Sequence, residues 1–255
     1  MCLVLLAWRV RDDLPLVVAA NRDEWRDRPA EAAHWWPGKP AIFAGRDLKA
    51  GGTWMGISRQ GRFAAVTNFR DPTDKRSTAR SRGELVTEYL RSAEPADLFI
   101  MSISQRASDY NGFNLIVGDT DSLWYFGSHE GEAREIEPGV HGLSNHVLDE
   151  PWPKVTRGRA AMEAALKERD PSPRLFEFLG DSAGVSDADL PKTGVGLEWE
   201  RRLAAPLITG EDYGTRSSTV LAMAASGKVH FEERTLGPQG EVLAKREERL
   251  PVKPV

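Results

Sequence analysis

The chain has 255 residues, of which 40% are hydrophobic and 28% charged, and its net charge at pH 7 is −4. This composition is typical of a globular protein with a sizeable core, and it shows no basic excess of the kind that nucleic-acid binding requires. No apolar run approaches the roughly 18 residues that a membrane-spanning helix needs.

Two apolar runs open the chain, residues 2–10 and 14–20, and Asp12 and Asp13 separate them. Such a pattern predicts a β-hairpin. Neither run alternates with polar residues, so we expect both strands to be covered on both faces.

The first apolar run is too short and too interrupted for a signal peptide, because no basic segment precedes it and Arg9 and Arg11 follow early. The chain has one cysteine and therefore forms no internal disulfide. Both observations favour the reducing cytoplasm.

The middle of the chain alternates between polar segments and regular elements. Residues 22–50 are rich in Arg, Asp, Pro and Gly and predict a long loop. Residues 53–58 and 63–68 predict a second hairpin, and residues 70–80 a charged loop. A helix is predicted over 81–91, with Ser81 and Glu84 spaced as in a capping box.

The remaining elements are a helix over 95–106, strands over 113–117, 123–126 and 140–144, helices over 153–167 and 172–179, and a hairpin over 216–224 and 228–234. Two antiparallel sheets with helices packed outside would bury every apolar face, which predicts an α+β fold. No linker interrupts the pattern, so we expect a single domain over residues 1–255.

Cys2 is the first candidate for chemistry. A lone cysteine is commonly a small buried apolar residue. At position 2, however, removal of Met1 would place a free α-amine beside the thiol. An α-amine has a pKa of about 8 and a thiol about 8.5, so the amine can accept the thiol proton near neutral pH. One residue would then supply both nucleophile and base.

The Asn-Arg-Asp-Glu segment at residues 21–24 follows the second strand. It is compatible with an ordinary polar turn. If the first two strands pair antiparallel, however, Arg22 and Asp23 return beside Cys2. A cation there would lower the thiol pKa, and a carboxylate would orient the amine.

Three further candidates lie at strand ends. Asn68 and Asn145 fit either as turn caps or as donors to an oxyanion. Arg216 fits either as a surface arginine or as a site residue. The five histidines show no metal-ligand spacing, and Gly194 and Gly196 lack the context of a nucleotide-binding loop. We therefore expect neither a metal nor a cofactor.

Together these segments resemble the NRDE, or transport-and-Golgi-organisation, family. The resemblance rests on Cys2 and on residues 21–24, 52–54, 67–70, 143–145, 193–195 and 213–219 (Tyr-Gly-Thr-Arg-Ser-Ser-Thr). That family is similar in layout to cysteine N-terminal-nucleophile hydrolases, such as bile-salt hydrolases and penicillin V acylases. The resemblance implies a four-layer αββα sandwich.

The resemblance also implies roles. Cys2 would be the nucleophile and Asp23 would hold its amine. Asn68 and Asn145 would build the oxyanion hole and orient the amine, Arg216 would lie beside the thiolate, and Arg22 would belong to the same network. The implied activity is hydrolysis of a small non-peptide acyl-amide. The alternative is a non-catalytic protein that binds or carries haem or a lipid on the same scaffold.

Overall fold

The computed structural model describes residues 2–74 and 76–252. Its first sheet has six antiparallel strands in the spatial order β10-β1-β2-β11-β12-β13. These strands are β1 (Cys2–Arg11), β2 (Leu14–Trp25), β10 (Gly139–Leu143), β11 (Tyr213–Met223), β12 (Lys228–Leu236) and β13 (Val242–Pro251).

The second sheet has seven strands that follow one another in chain order from β3 to β9. They are β3 (Ala30–Trp36), β4 (Ile42–Asp47), β5 (Met55–Ser58), β6 (Phe63–Asn68), β7 (Phe113–Gly118), β8 (Leu123–Gly127) and β9 (Ala133–Glu135). Every neighbouring pair in this sheet is antiparallel.

The described residues form five α-helices. These are α1 (Gly83–Arg91), α2 (Ala96–Gln105), α3 (Pro153–Ala165), α4 (Ser172–Leu179) and α5 (Leu197–Leu203). None of the helices in the described ranges combines the length and apolar character that crossing a membrane requires.

Three apolar clusters separate four layers. One lies between the sheets and includes Val4, Phe43 and Phe231. A second joins the seven-stranded sheet to α1 and α2, and the third joins the six-stranded sheet to α3 and α4. The predicted α+β class and αββα sandwich are confirmed.

The prediction of a loop over residues 22–50 is wrong. β2 continues to Trp25, and β3 and β4 pair antiparallel within this segment. The polar composition of this segment resembles that of a loop, although the segment contains short strands whose apolar residues point inward. Ala33 and Trp36 are buried, and the Trp36 indole donates to the Ala44 carbonyl at 3.0 Å.

Other details also differ from the prediction: β9, α5 and β13 were not predicted, and the expected capping box does not form. β13 was missed because most of its residues are charged and exposed, as is common for an edge strand. The capping box does not form, because α1 begins later, at Gly83, and its N-cap Arg82 makes no side-chain cap bond. The Glu84 carboxylate instead accepts a hydrogen bond from the Tyr110 hydroxyl at 2.6 Å.

Candidate active site

The first hairpin carries the centre of the site. Cys2 begins β1 and pairs with Arg22 of β2, as the predicted hairpin requires. Side chains alternate along a strand, so Cys2 and Arg22 point with Val4 and Ala20 toward the space between the sheets. Asp23 is one residue further along β2 and points toward the helix layer.

The Cys2 thiol is partly buried, and this desolvation raises its pKa above the ordinary value. The Asp23 carboxylate also raises the pKa, whereas the Arg22 guanidinium and a hydrogen bond from the Asp23 backbone lower it. The net direction is upward. The thiol is therefore mainly protonated at neutral pH and needs a base to become a nucleophile.

Arg22 is held from two sides. Its guanidinium lies over the Trp54 ring at 4.4 Å from the centroid, and 3.9 Å separates it from the Glu24 carboxylate. The Trp54 ring in turn packs on Gly45, where a Cβ atom would overlap the indole. A glycine in β4 thus leaves room for the platform beneath Arg22.

Asp23 is 1% exposed and anchored by the late Tyr-Gly-Thr-Arg segment. The Thr215 hydroxyl donates to Asp23 Oδ1 at 2.7 Å and accepts the Ile208 N–H at 2.9 Å. Burial raises the pKa of the Asp23 carboxyl, and the Lys154 ammonium is the largest of the charges that oppose this rise.

Three buried charged residues that the sequence pattern did not indicate lie on the helix side of the six-stranded sheet. Lys154 lies in the first turn of α3, and its Nζ donates to the Leu203 carbonyl at 3.0 Å. Burial lowers the Lys154 pKa to about 8. Arg70 and Glu200 form a buried ion pair at 2.8 Å, and the Thr193 N–H and hydroxyl both donate to Glu200. In the sequence Lys154 resembles an ordinary surface lysine, but in the structure it is 2% exposed and lies between the buried residues Trp152 and Val155.

Asn68 and Asn145 meet at the ends of β6 and β10. The Asn145 side-chain amide donates to the Asn68 carbonyl at 2.9 Å, and the Arg70 N–H donates to the Asn145 carbonyl at 2.7 Å. The Ser144 hydroxyl donates to the Cys2 carbonyl at 3.2 Å. Hydrogen bonds therefore tie both asparagine segments to the start of β1.

Arg216 occupies a bulge of β11, between Thr215 and Ser217. Its guanidinium donates to the carbonyls of Trp25 and Arg28 at 2.8 and 3.1 Å. The structure thus brings together Cys2, Arg22, Asp23 and Asn68 at one cavity and attaches Arg216 to the segment after β2. The role of Arg216 beside the thiolate stays a prediction.

Asn21, the first residue of the Asn-Arg-Asp-Glu segment, connects the sheet to the helix layer. Its amide donates to the carbonyls of Leu179 and Pro206 at 2.9 and 2.8 Å, and its oxygen accepts the Ser218 hydroxyl at 2.6 Å. This residue therefore fixes β2 and β11 at the site.

Two cavities meet at the site. The first, of about 430 Å³, is lined by Cys2, Arg22 and Asp23, and basic side chains outnumber acidic ones among its described lining residues. The second, of about 510 Å³, is lined by aromatic and apolar side chains, Trp25, Phe69 and Trp199 among them, and by a similar number of charged and amide side chains. Both cavities share the lining residues Glu24, Asn68, Arg82 and Asn111.

A buried carboxyl lies on the same side of the sheet as Arg22. Glu233 of β12 is 2% exposed and accepts the Ala33 N–H at 2.7 Å. Burial raises its pKa to about 7, while the Ala33 hydrogen bond and the Arg22 charge oppose this rise.

One group of possible metal ligands lies elsewhere, on β12 and β13, where the ligand atoms of His230, Glu232 and Glu247 come within 4.8 Å of one another. The Lys245 ammonium lies 3.0 Å from Glu232 and 2.9 Å from Glu247. Since these contacts already neutralise the carboxylates, the group is an ion-pair cluster.

The layers and strand arrangement are those of the N-terminal-nucleophile hydrolase fold. A solved structure of a mutant of conjugated bile acid hydrolase from Clostridium perfringens superimposes with a TM-score of 0.53, covering 97% of this chain and 92% of that one. The two sequences are 10% identical, so this likeness concerns the fold alone.

The family follows from the sequence. The family model described as Transport and Golgi organisation 2 matches residues 1–238. The Bos taurus Transport and Golgi organization protein 2 homolog is 38% identical over 87% of this chain and 86% of its own length, and the Drosophila melanogaster protein is 26% identical over 89% of each. The chain belongs to the Transport and Golgi organisation 2 family, as the sequence resemblance predicted.

Proposed function

We propose that the protein hydrolyses a small non-peptide acyl-amide, with Cys2 as nucleophile and its α-amine, freed by removal of Met1, as base. The observation that carries the proposal is the position of Cys2. It begins a buried strand opposite Arg22 and lines a cavity together with Asp23 and Asn68.

In the first half of the reaction, the thiol proton passes to the α-amine and the sulfur attacks the amide carbonyl. The oxyanion forms beside Asn68, whose side chain lines both cavities, and Asn145 fixes the Asn68 backbone. Collapse breaks the C–N bond, the leaving amine takes the proton from the α-ammonium group, and a thioester remains on Cys2.

In the second half, water attacks the thioester while the α-amine accepts its proton. The acid leaves and the thiol is restored. Asp23 holds the amine throughout, and Arg22 stabilises the thiolate. The aromatic cavity suits the acyl chain, and the basic cavity suits a polar leaving group. The thiol must remain reduced, which favours the cytoplasm as the compartment.

The test uses Met1-trimmed protein and a panel of N-acyl amino acids of increasing acyl length. We expect release of the free acid and a transient protein mass increased by the acyl group. Cys2→Ala should lose both signals and keep its melting temperature, and protein with a residue retained before Cys2 should behave in the same way. Turnover that persisted in Cys2→Ala would refute the mechanism.

The aromatic cavity also supports a second candidate, in which the protein binds a lipid or haem without cleaving it. A cavity of about 510 Å³ with an aromatic wall and charged residues beside it is within the usual size range for small-molecule sites. Among the described lining residues of the two site cavities there is no histidine, so Cys2 would be the candidate haem ligand. A Soret shift on haem titration that disappears in Cys2→Ala would support haem binding, and its absence would leave a lipid.

A further inference from the structure

The Thr-Gly-Val segment at residues 193–195 is a part of the family resemblance to which the proposed mechanism gives no role. It precedes α5, and its last two residues line the aromatic cavity. Trp199 and Leu203 of α5 line the same cavity. Residues 193–203, called the flap below, therefore supply one wall of the cavity to which the proposed function assigns the acyl chain.

The apolar contacts of the flap are separate from the clusters that join the four layers. Leu203 packs with Ile208 and Tyr213, and Trp199 packs against this small cluster. Leu197, at the start of α5, is 51% exposed. The flap thus buries little apolar surface, and polar contacts should help to fix its position.

Glu200 provides such contacts at the start of the flap, and it is 4% exposed. Its Oε1 atom accepts hydrogen bonds from the Thr193 N–H at 2.8 Å and from the Thr193 hydroxyl at 2.6 Å. Its Oε2 atom accepts a hydrogen bond from Arg70 Nη1 at 2.8 Å. The Arg70 guanidinium lies over the Trp152 ring, 4.6 Å from the centroid. One buried carboxylate therefore connects the flap to the body of the protein.

The anchored segment lies against the opposite rim of the cavity. Gly194 has a φ of 88°, and a Cβ atom at this position would lie 3.3 Å from Pro72 Cγ. Pro72 also lines the aromatic cavity. Glycine at position 194 thus permits both the left-handed turn and the close approach to Pro72. The contact brings Val195, the next residue, to the wall of the cavity.

A buried ion pair is weak evidence for stability, but each of its charges depends on the other for compensation, so the pair fixes local geometry. Here the geometry is that of the flap. We propose that Glu200 is a positioning residue that holds the flap against the cavity, and that Val195 and Trp199 thereby select ligands with a long acyl chain. The inference rests on the proposed function, because that function assigns the acyl chain to this cavity.

The test measures the Kd of dodecanoate and of hexanoate for the full-length protein by isothermal titration calorimetry, which requires no turnover. Glu200→Gln removes the charge that pairs with Arg70 and nearly keeps the side-chain shape. Thr193→Val removes one hydrogen bond to Glu200 and leaves the ion pair in place. Glu198→Gln is the matched control, because Glu198 is an exposed glutamate of the same helix.

We expect the Kd of dodecanoate to rise about tenfold in Glu200→Gln, because the chain loses contact of roughly two methylene groups with the flap. Thr193→Val should raise it about threefold, as the loss of one hydrogen bond implies. Both variants should keep the wild-type Kd of hexanoate, which is too short to reach the flap. Glu198→Gln should match the wild type with both acids.

Hydrolysis of N-dodecanoylglycine provides a second readout. The same two variants should raise KM and leave kcat unchanged, because the flap contacts the chain and not the reacting atoms. A merely structural role of Glu200 would weaken the binding of both acids and lower kcat as well.

The outcomes separate the two hypotheses. If the wild type turns over the amide with Cys2 and both variants keep its dodecanoate Kd, the role of Glu200 is overturned and the proposed function stands. If the wild type shows no turnover and the dodecanoate pattern is as expected, the proposed function is overturned and the role of the flap in binding stands. Equal losses with both acids would contradict the proposal. If Glu200→Gln fails to fold, Thr193→Val decides, because the buried ion pair stays intact in that variant.

Discussion

The two faces of the six-stranded sheet carry different parts of the site, although a single step along β2 separates them. Arg22 points with Cys2 toward the other sheet and lines an open cavity. Asp23 points toward the helices, is 1% exposed and accepts a hydrogen bond from the Thr215 hydroxyl, and the Lys154 charge opposes the rise of its pKa. The Cys2 thiol thus lines an open cavity, whereas Asp23 lies in the protein interior.

This division has a physical consequence. Charges in the interior are screened by salt far less than exposed ones, so the electrostatic potential around Asp23 should depend little on salt concentration. The cost is that each buried charge depends on its neighbours. Loss of one partner leaves another charge desolvated and without compensation.

The largest effect is expected when the negative charge of Asp23 is removed from the side of the six-stranded sheet that faces the helices. Asp23→Asn should lower the free energy of unfolding by about 3–5 kcal/mol, because Lys154 and Arg70 then lose a compensating carboxylate in the interior. Urea denaturation measures this loss. Asp27→Asn, the same substitution at an exposed position four residues later, is the control, and equal losses in the two variants would contradict a buried role for Asp23.

A smaller effect is expected from Glu233, a buried carboxyl on the inter-sheet face. The folded-state pKa of Glu233 is about 7, above the 4.5 of an ordinary glutamate. Protonation therefore favours the folded state. The stabilisation is complete below pH 4.5 and is lost as the pH rises through 7.

Glu233→Gln keeps an acceptor for the Ala33 N–H and removes the titration. We expect the wild type to lose stability relative to this variant between pH 5 and 8, by on the order of 3 kcal/mol. Chemical denaturation at the two pH values measures the difference. A constant difference between wild type and Glu233→Gln would show that the carboxyl does not titrate in this range.

The sequence predicted the site residues on the side of the six-stranded sheet that faces the other sheet better than those on the side that faces the helices. The β1–β2 hairpin follows from two apolar runs and one polar turn, and antiparallel pairing then brings residue 22 back to Cys2. Local pattern and register are sufficient for this step. The αββα layers came from the family resemblance, because apolar patterning alone predicts helices outside two sheets without their order.

The helix face was missed because its charges come from distant segments. Lys154 is in the first turn of α3 and Glu200 is in α5, and each resembles a surface residue when taken alone. Only the folded chain brings the two helices together, through the hydrogen bond from Lys154 Nζ to the Leu203 carbonyl at the end of α5. The same limit explains β13, whose charged sequence resembles a loop until it pairs with β12.

The finest comparison is between the two arginines that the sequence placed in the site. Arg22→Met removes the guanidinium from the Trp54 ring and should raise the thiol pKa further, by about one unit, which corresponds to a tenfold slower alkylation of Cys2 at pH 7. Arg216→Met removes two hydrogen bonds to the carbonyls of Trp25 and Arg28, so we expect lower stability and a smaller change at the thiol. Thiol reactivity and melting temperature measured on both variants separate these effects. If Arg216→Met slowed the alkylation of Cys2 more than Arg22→Met did, Arg216 would be the cation that acts on the thiolate. The role that the family resemblance implies for Arg216 would then hold, and the role that the hairpin gives to Arg22 would not.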